Sequence, residues 1–244
     1  MFLIPASYLH IKKTKKKGRG VFALKPIAAG TVIGDYLGKI VKDREAERLE
    51  KRNGGICFSM DYTGGDTSIY PDIKSPGIHI INHSCAPNCD AYYYFGHTLY
   101  FALRRIFPGE ELTVDYGFDP RSDDTVSYCL CGSPFCHGTM YAGPEKLTES
   151  RVFFQKQTRG QHFKICQPGE ILQPLAKYPS KIKDFVFYDL AANLEVAPIS
   201  YNDKKLPNIH NLRRRLRDSG RILKFSRLGF SVLRIVKGTV IVRK

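Results

Sequence analysis

The sequence predicts an α+β protein that is rich in short strands, followed by a small basic α/β segment at its C-terminal end. Three observations lead to this prediction. Short apolar or alternating runs follow one another between glycine and proline turns in the first 120 residues, with one charged helical pattern among them. Strands and helices do not alternate regularly, and no nucleotide-binding glycine fingerprint is present, which excludes a classical dinucleotide-binding fold.

The predicted strands can be read from the pattern of apolar residues and turns. One helix, Lys42–Arg52, is rich in helix formers and ends at Asn53-Gly54-Gly55. Ala91–Phe95 and Thr98–Arg105 form a predicted hairpin around Gly96-His97. The other predicted strands lie at residues 1–11, Val21–Ala23, Thr31–Val41, Ile56–Tyr62, Ile69–Ile73, Ile78–Ile81 and Glu111–Tyr116.

The composition of the chain is that of a globular protein. It has 244 residues, of which 43% are hydrophobic and 12% aromatic. No apolar run reaches the roughly 18 residues that a membrane span needs, and Met1–His10 lacks the charged-then-apolar order of a secretory signal. We therefore expect a cytoplasmic or nucleoid location in a bacterium, or a nuclear location in a eukaryotic cell.

The positive charge is concentrated in the C-terminal part. Residues 1–143 carry 17 Lys+Arg against 15 Asp+Glu, whereas residues 144–244 carry 21 against 8. This asymmetry predicts two modules, of which the second, at 144–244, is basic. The first divides into a domain at 1–120 and a cysteine-rich segment at 121–143. A polyanionic partner such as duplex DNA would explain the charge, although a merely soluble basic surface would also do so.

The C-terminal hundred residues contain three predicted helices and two strands. Glu170–Lys177 and Lys183–Leu194 are helix candidates, and Leu206–Ser219 places its leucines on one face and its arginines mostly on another. The predicted strands are Arg221–Phe225 and Phe230–Lys244, the second folded back at Lys237-Gly238.

Residues 82–89, with the sequence Asn-His-Ser-Cys-Ala-Pro-Asn-Cys, bring amide, imidazole, hydroxyl and thiol groups together after an apolar run. A buried strand that leads into a polar turn can direct several side chains to one place. The segments Glu110–Gly117 and Cys129–Gly138 are expected to pack against this stretch. His83 by itself would more often be a structural histidine than a ligand.

Three further cysteines, Cys129, Cys131 and Cys136, lie within eight positions. In a chain without an export signal, such clustering favours a metal over disulfides, and three thiolates can occupy three corners of a zinc tetrahedron. Three ordinary buried cysteines are the alternative. The residues alone leave the fourth ligand open among Cys85, Cys89, His137 and His83.

Five motifs occur here in the order found in the SET-domain protein lysine methyltransferases, which the chain resembles over about residues 8–141. The last of them is similar to the post-SET zinc motif of that family. They are Gly18-Arg19-Gly20, Tyr36-Leu37-Gly38, Asn82–Asn88, Glu111–Gly117 and Cys129-x-Cys131-x4-Cys136-x-Gly138.

The resemblance implies a β-rich SET fold in which a threaded C-terminal segment lies beside the Asn82-His83 motif, closed by a post-SET zinc clasp. It implies S-adenosylmethionine as the methyl donor, bound by Arg19, Gly20, Asn82, His83 and Tyr116. It also implies one structural Zn²⁺ held by Cys85, Cys129, Cys131 and Cys136. Tyr116 would be the catalytic tyrosine, and Tyr36 would act beside it and line the lysine channel.

Two other channel positions carry small side chains in this chain. The family often has an aromatic residue two positions before the catalytic tyrosine, where this chain has Val114, and Ala91 is small as well. These residues predict a roomy channel that tolerates dimethyl- or trimethyl-lysine. The sequence departs from the family pattern at Lys39, Ile56 and the apolar approach to Asn82.

The order of helix and strands at the C-terminus is similar to the winged-helix effector domains of bacterial response regulators. In that interpretation Arg213, Arg214, Arg215, Arg217 and Arg221 contact DNA phosphates, with one of them reading a base. A basic helix that docks a substrate or a second subunit is the alternative.

The sequence therefore predicts a protein-lysine N-methyltransferase that acts on a histone or a histone-like, DNA-associated basic protein. The competing hypothesis is a DNA-binding or scaffold protein whose SET fold is weakly active or inactive.

Overall fold

The computed structural model describes residues 1–56, 58–63, 65–118, 128–132, 136, 138–141, 158–182, 196–198, 231–236 and 239–243. Within these residues, short strands are joined by turns, with one α-helix, α1, at Asp43–Arg52 and two 3-10 turns at Ala6–Tyr8 and Ile78–Ile80. The strands are β1 (Leu9–Lys13), β2 (Arg19–Ala23), β3 (Val32–Asp35), β4 (Lys39–Lys42), β5 (Met60–Asp61), β6 (Thr67–Tyr70), β7 (Asn82–His83), β8 (Cys89–Tyr94), β9 (His97–Ala102), β10 (Thr113–Val114), β11 (Val196–Pro198), β12 (Ser231–Val236) and β13 (Thr239–Arg243). The prediction of a β-rich fold with few helices is confirmed.

The strands form small sheets. Strand β1 pairs with β2, β9 lies between β3 and β8, and β6 lies between β4 and β5. Strands β7 and β10 form a parallel pair, and β13 lies between β11 and β12. The predicted hairpin is confirmed as β8 and β9, which turn at residues 95–96.

The predicted strand Thr31–Val41 is wrong as one element, because the chain changes sheets in its middle. It leaves β3 at Asp35 and enters β4 at Lys39. Gly38 lies so close to the neighbouring strand that an added Cβ would lie 2.2 Å from the Tyr70 carbonyl oxygen. The Tyr36-Leu37-Gly38 motif is therefore the crossing point between two sheets.

The predicted strand Ile78–Ile81 is also wrong. Residues 78–80 form a 3-10 turn closed by a bond of 2.9 Å from the Ile81 amide to the Ile78 carbonyl. Ile78, Ile80 and Ile81 are nevertheless buried. The apolar run therefore predicted core residues correctly, but the backbone there forms a turn and not a strand. The strand that follows is β7, inside the polar stretch itself.

Helix α1 matches its prediction closely. Its first turn carries Asp43 and Glu45 and its last turn Lys51 and Arg52, a charge order that stabilises the helix dipole. It ends at Arg52, with Asn53 as its C-cap and Gly54 following with a φ of 80°. Within the described residues, no helix has the length and apolar character to span a membrane.

The main core gathers buried side chains from several sheets. Ile33, Ile40, Ile69 and Leu112 are fully enclosed there, and Tyr36 and Tyr100 lie in the same cluster. A second cluster forms on the other side of the β3–β9–β8 sheet around Leu99 and Phe101.

Residues 158–182, which we call the strap, pack against this core. The Ile40 amide donates to the Glu170 carbonyl and the Leu172 amide to the Gly38 carbonyl, at 2.8 and 2.9 Å, so the strap covers the edge of β4. The predicted helix Glu170–Lys177 is wrong, because this segment is extended and interrupted by Pro174. Leu172 is buried in the main core.

The end of the strap covers the edge of a second sheet. The Val32 amide donates to the Ser180 carbonyl at 3.0 Å, and the Ile182 amide to the Gly30 carbonyl at 2.9 Å. The side chain of Ile182 is buried in the second cluster. The strap, which belongs to the predicted 144–244 domain, thus packs against residues 1–118.

Within the predicted strand Phe230–Lys244, β12 and β13 form an antiparallel pair in which Val236 lies opposite Thr239. The predicted fold-back at Lys237-Gly238 lies outside the described residues. Strand β11, which the sequence analysis did not predict, pairs with β13. The predicted helices Lys183–Leu194 and Leu206–Ser219 and the strand Arg221–Phe225 lie outside the described residues, so the winged-helix arrangement stays a prediction.

Candidate functional site

The parallel pair β7–β10 brings the two central motifs together. Asn82 is opposite Thr113 and His83 opposite Val114, and the Ser84 amide donates to the Val114 carbonyl at 2.9 Å. The chain then continues to Tyr116, whose amide donates to His83 Nδ1 at 3.1 Å. Segments some thirty residues apart therefore meet, as the sequence analysis expected.

The two predicted active-site tyrosines are both anchored through their hydroxyl groups. Tyr116 donates its hydroxyl hydrogen to the Ile81 carbonyl at 3.1 Å, and Tyr36 donates to the Phe58 carbonyl. A hydroxyl whose proton is engaged in this way offers a substrate an acceptor oxygen. The ring of Tyr116 is also fixed between His83 and Phe118, with centroid distances of 5.4 and 5.3 Å.

Asn82 lies beside the Gly18-Arg19-Gly20 motif of β2. Its side-chain amide donates to the Arg19 carbonyl at 2.9 Å and to Glu111 Oε1 at 2.8 Å. Glu111 in turn forms an ion pair with Lys17 at 2.7 Å. Gly20 is buried, and an added Cβ there would lie 2.7 Å from Glu111 Oε1 and 3.0 Å from Asn82 Nδ2. Only glycine allows the backbone this close to Asn82.

This arrangement fits the amino-acid end of S-adenosylmethionine. That end carries a carboxylate and an ammonium group, and the backbone of Arg19 and Gly20 and the carboxamide of Asn82 converge here. The guanidinium of Arg19 is exposed and lies 3.4 Å from the Ile73 carbonyl. Glu111 and Lys17, which the sequence analysis did not single out as ligands, hold Asn82 in place.

His83 is buried, and both of its ring nitrogens lie against protein atoms. Nδ1 accepts from the Tyr116 amide, and Nε2 lies 3.4 Å from Cys85 Sγ. Asp115 Oδ1 lies 3.6 Å from Nδ1. The predicted contact of His83 with the methyl donor would therefore have to come from its backbone.

The four predicted zinc ligands lie together. The Sγ atoms of Cys85, Cys129, Cys131 and Cys136 all lie within 4.8 Å of one another, and those of Cys85 and Cys129 are 3.6 Å apart. Zinc–sulfur bonds of about 2.3 Å in a tetrahedron separate the sulfur atoms by about 3.8 Å. The cluster therefore has the donor set and the size that a structural zinc requires.

Cys89 is separate from this cluster. It is fully buried in the main core, its Sγ contacts Asn88 Oδ1 at 3.4 Å, and burial raises the pKa of its thiol. Burial likewise raises the pKa of the Cys129 thiol. A cation beside this thiol would act in the opposite direction and favour the thiolate. Cys85, rather than Cys89, is the fourth member of the cluster.

Several residues that position the site were missed by the sequence analysis. Asn88 is buried and ties two segments together, donating to the Glu111 carbonyl and accepting from the Thr113 amide, both at 2.8 Å. Arg104 and Glu110 form a buried ion pair at 2.9 Å next to it. Asn88 belongs to the Asn82–Asn88 motif, but its partners Glu111 and Thr113 are distant in sequence and no local pattern connects them to it.

Glu50 is another such residue. One carboxylate oxygen at the end of α1 accepts from the amides of Phe58 and Ser59, both at 2.9 Å. The carbonyl of Phe58 is the anchor of the Tyr36 hydroxyl. Helix α1 therefore fixes the backbone that holds a predicted active-site tyrosine.

The predicted channel residues Ala91 and Val114 lie in or against the main core with Tyr36 and Tyr116. Val114 is 4% exposed and Ala91 is partly buried. The structure therefore brings these four residues into one neighbourhood. The predicted DNA-contacting residues, Arg213, Arg214, Arg215, Arg217 and Arg221, lie outside the described residues.

Comparison with known proteins identifies the central part of the chain. The sequence pattern of the SET domain matches residues 18–117. The chain is 37% identical over 127 residues to the "Histone-lysine N-methyltransferase, H3 lysine-4 specific" of Eremothecium gossypii. It is 33% identical over 135 residues to the "Histone-lysine N-methyltransferase trithorax" of Drosophila virilis. It is 32% identical over 147 residues to the "Histone-lysine N-methyltransferase, H3 lysine-9 specific SUVH5" of Arabidopsis thaliana.

These similarities cover part of each protein. They include 49%, 53% and 54% of this chain, but 13%, 4% and 18% of the three relatives, in the same order. All three organisms are eukaryotes, and the match falls on the part of the chain that contains the two tyrosines and β7–β10.

Proposed function

Residues 18–117 are a SET domain, and from this premise we propose that the chain is an S-adenosylmethionine-dependent protein-lysine N-methyltransferase. The observation that carries the proposal is the parallel pair β7–β10, in which Thr113 lies opposite Asn82 and Val114 opposite His83, and after which the Tyr116 amide donates to His83. It joins a donor-binding motif to a fixed tyrosine oxygen.

Methyl transfer from a sulfonium to an amine is an in-line displacement that needs a neutral amine and little acid–base machinery. A lysine amine has a pKa near 10.4 in water and must lose a proton first, which a desolvated channel beside a positive charge promotes. Its remaining N–H groups then need acceptors. The anchored oxygens of Tyr36 and Tyr116 are suited to hold the amine in line.

The methyl donor supplies an activated methyl group when it is bound. Arg19, Gly20 and Asn82 would hold its amino-acid end, and the backbone at His83 its adenine end. Glu111 and Lys17 act through Asn82, because they fix the rotamer of its carboxamide. The cysteine cluster would hold a zinc ion beside His83, since Cys85 follows β7 directly.

A histone or a similar basic, DNA-associated protein is the substrate that we propose. The support is that the relatives at 32–37% identity are histone-lysine methyltransferases by name. A histone substrate would place the protein in the nucleus, and the relatives named above all come from eukaryotes. Contact of residues 144–244 with duplex DNA stays a prediction from their excess of 21 Lys+Arg over 8 Asp+Glu.

A SET-fold scaffold protein without turnover is the second candidate, and donor binding separates the two. Calorimetric titration of the zinc-loaded chain with S-adenosylmethionine should show saturable binding of one donor per chain. Replacing Asn82 by Ala should weaken that binding about tenfold or more, because the carboxamide and its link to Arg19 are lost. Ser75→Ala, on an exposed turn, is the control. No heat of binding with wild-type protein would contradict the enzyme proposal and favour the scaffold.

A further inference from the structure

Tyr100 lies on the central strand β9, with small residues on both sides of it. It is directly opposite Ala91 on β8 and Gly34 on β3. Directly opposite residues point to the same face of a sheet, with Cβ atoms about 4.5–5.5 Å apart. The ring of Tyr100 therefore lies on the same face of the sheet as Ala91, whose small side chain leaves space beside it.

The ring of Tyr100 is close to the predicted active-site residues. Its centroid lies 6.0 Å from that of Tyr36, with the planes tilted by 52°. Tyr100 is 3% exposed and belongs to the core cluster that contains Val114 and packs against Tyr116.

The hydroxyl of Tyr100 differs from those of its neighbours. Tyr36 and Tyr116 donate to carbonyl oxygens, whereas no hydrogen bond joins the Tyr100 hydroxyl to another residue within the part of the chain that the structure describes. Burial, and then the nearby Tyr116, raise the pKa of Tyr100 well above its ordinary value, so the phenol stays neutral. The hydroxyl oxygen of Tyr100 is not one of the fully enclosed side-chain atoms that lack a partner, so it faces accessible space. A tyrosine with a buried ring normally finds a partner for its hydroxyl, and a ligand in that space can supply it.

We propose that Tyr100 is a specificity-determining residue of the lysine channel, and that its hydroxyl limits how many methyl groups one lysine receives. The inference rests on the proposed methyltransferase function. It adds a residue that lies outside the motifs by which the sequence was interpreted.

The chemistry follows from the difference between an N–H group and a methyl group. Each transfer forms an N–C bond from the amine lone pair and breaks the C–S bond, whose electron pair stays on sulfur, and one proton passes to solvent. An amine N–H can donate to the Tyr100 oxygen, whereas a methyl group in that place cannot and needs more room. The amine of a monomethyl-lysine therefore places its lone pair toward the methyl donor less readily than the amine of an unmodified lysine does, because its methyl group must then lie beside the Tyr100 hydroxyl.

This inference changes the expected product. Ala91 and Val114 alone predict a channel roomy enough for dimethyl- or trimethyl-lysine. Tyr100 fills the space opposite Ala91, so we expect monomethyl-lysine to accumulate with the wild-type chain.

The test uses the full zinc-loaded chain, S-adenosylmethionine and recombinant histone H3, with products resolved by mass spectrometry. Peptides around the modified lysine, carrying zero or one methyl group, then give kcat/KM for each state. Tyr100→Phe removes one oxygen and should raise the monomethyl-to-unmethylated ratio of kcat/KM at least fivefold, with dimethyl-lysine appearing. The ratio is internal to each preparation, so partial unfolding of the variant does not change it.

Tyr92→Phe is the matched control, because Tyr92 is also a buried tyrosine of this sheet but packs with Phe101 in the second cluster. Its ratio should equal that of wild type. An unchanged ratio in Tyr100→Phe, or dimethyl- and trimethyl-lysine already dominant with wild type, would overturn the inference. If wild type binds no donor and methylates no histone, the proposed function itself fails.

Discussion

Two segments that follow the SET domain return to it in different ways. The described residues within 128–141 are tied to it by the contact of Cys129 with Cys85 and by a backbone bond from the Phe118 amide to the Met140 carbonyl at 3.1 Å. Tyr128 and Leu130 stay 71% and 52% exposed. The strap is held by backbone hydrogen bonds along β4 and β3 and by two side chains, Leu172 and Ile182, that are each 5% exposed.

The difference separates two sources of stability. The described apolar side chains Tyr128 and Leu130 of the cysteine-bearing segment are mostly exposed, so we expect the position of that segment to depend on a metal ion. The strap covers sheet edges and buries apolar side chains, so it needs no ion. The first segment contacts Cys85, whose Sγ lies 3.4 Å from His83 Nε2, and Phe118, whose ring packs against Tyr116. Tyr178 of the strap instead donates to the buried Asp35 at 2.7 Å.

The largest effect is expected at the cysteine cluster. Cys85→Ser should reduce bound zinc from about one ion per chain to near zero, because it removes one of the four ligands. Four ligands together bind a structural zinc with a free energy of about 10–16 kcal/mol. Methyl transfer should fall with the bound zinc, since the cluster lies against His83. Metal analysis together with an activity assay measures both.

Cys89→Ser is the matched control for this experiment, because Cys89 is as buried as Cys85 but packs in the main core. It should lose about 1–3 kcal/mol of stability from burying a hydroxyl and keep its zinc. Equal zinc loss in the two variants would refute the assignment of Cys85 as the fourth ligand.

A smaller effect, independent of metal, is expected in the strap. Leu172→Ala should lower the free energy of unfolding by about 2–5 kcal/mol through a cavity in the core, with zinc content unchanged. Ile171→Ala next to it, at a side chain that is 63% exposed, should change stability by less than about 0.5 kcal/mol. Denaturant unfolding measures both variants, and similar losses from the two would mean that the strap is not packed as described.

The comparison also shows how far the sequence could be interpreted. The spacing of Cys129, Cys131 and Cys136 is a strong local pattern and predicted three members of the cluster. The fourth, Cys85, is distant in sequence and was indicated by the family resemblance alone. The strap was not predicted, because Glu170–Lys177 has the composition of a helix and its pairing with Gly38 and Ile40 is decided by sheet edges far away in the chain.

The same distinction holds within the site. Asn82, His83 and Tyr116 were identified by motifs, and the structure brings them together. Glu50 and Tyr100 act across strands or turns, through partners that no local pattern connects to them. The predicted strand Thr31–Val41 is divided at the crossing near Gly38. The sequence does not reveal this crossing, because it depends on the close approach of Tyr70, which is distant in the chain.

Transfer of a radiolabelled methyl group from S-adenosylmethionine to a panel of histones tests the central claim most directly, with Tyr116→Phe as the control. Tyr116→Phe keeps the ring between His83 and Phe118 and removes the oxygen anchored on Ile81. We expect the zinc-loaded wild-type chain to label at least one histone and the variant to be slower by about a hundredfold or more. No labelling by wild type, or equal labelling by the variant, would contradict the account.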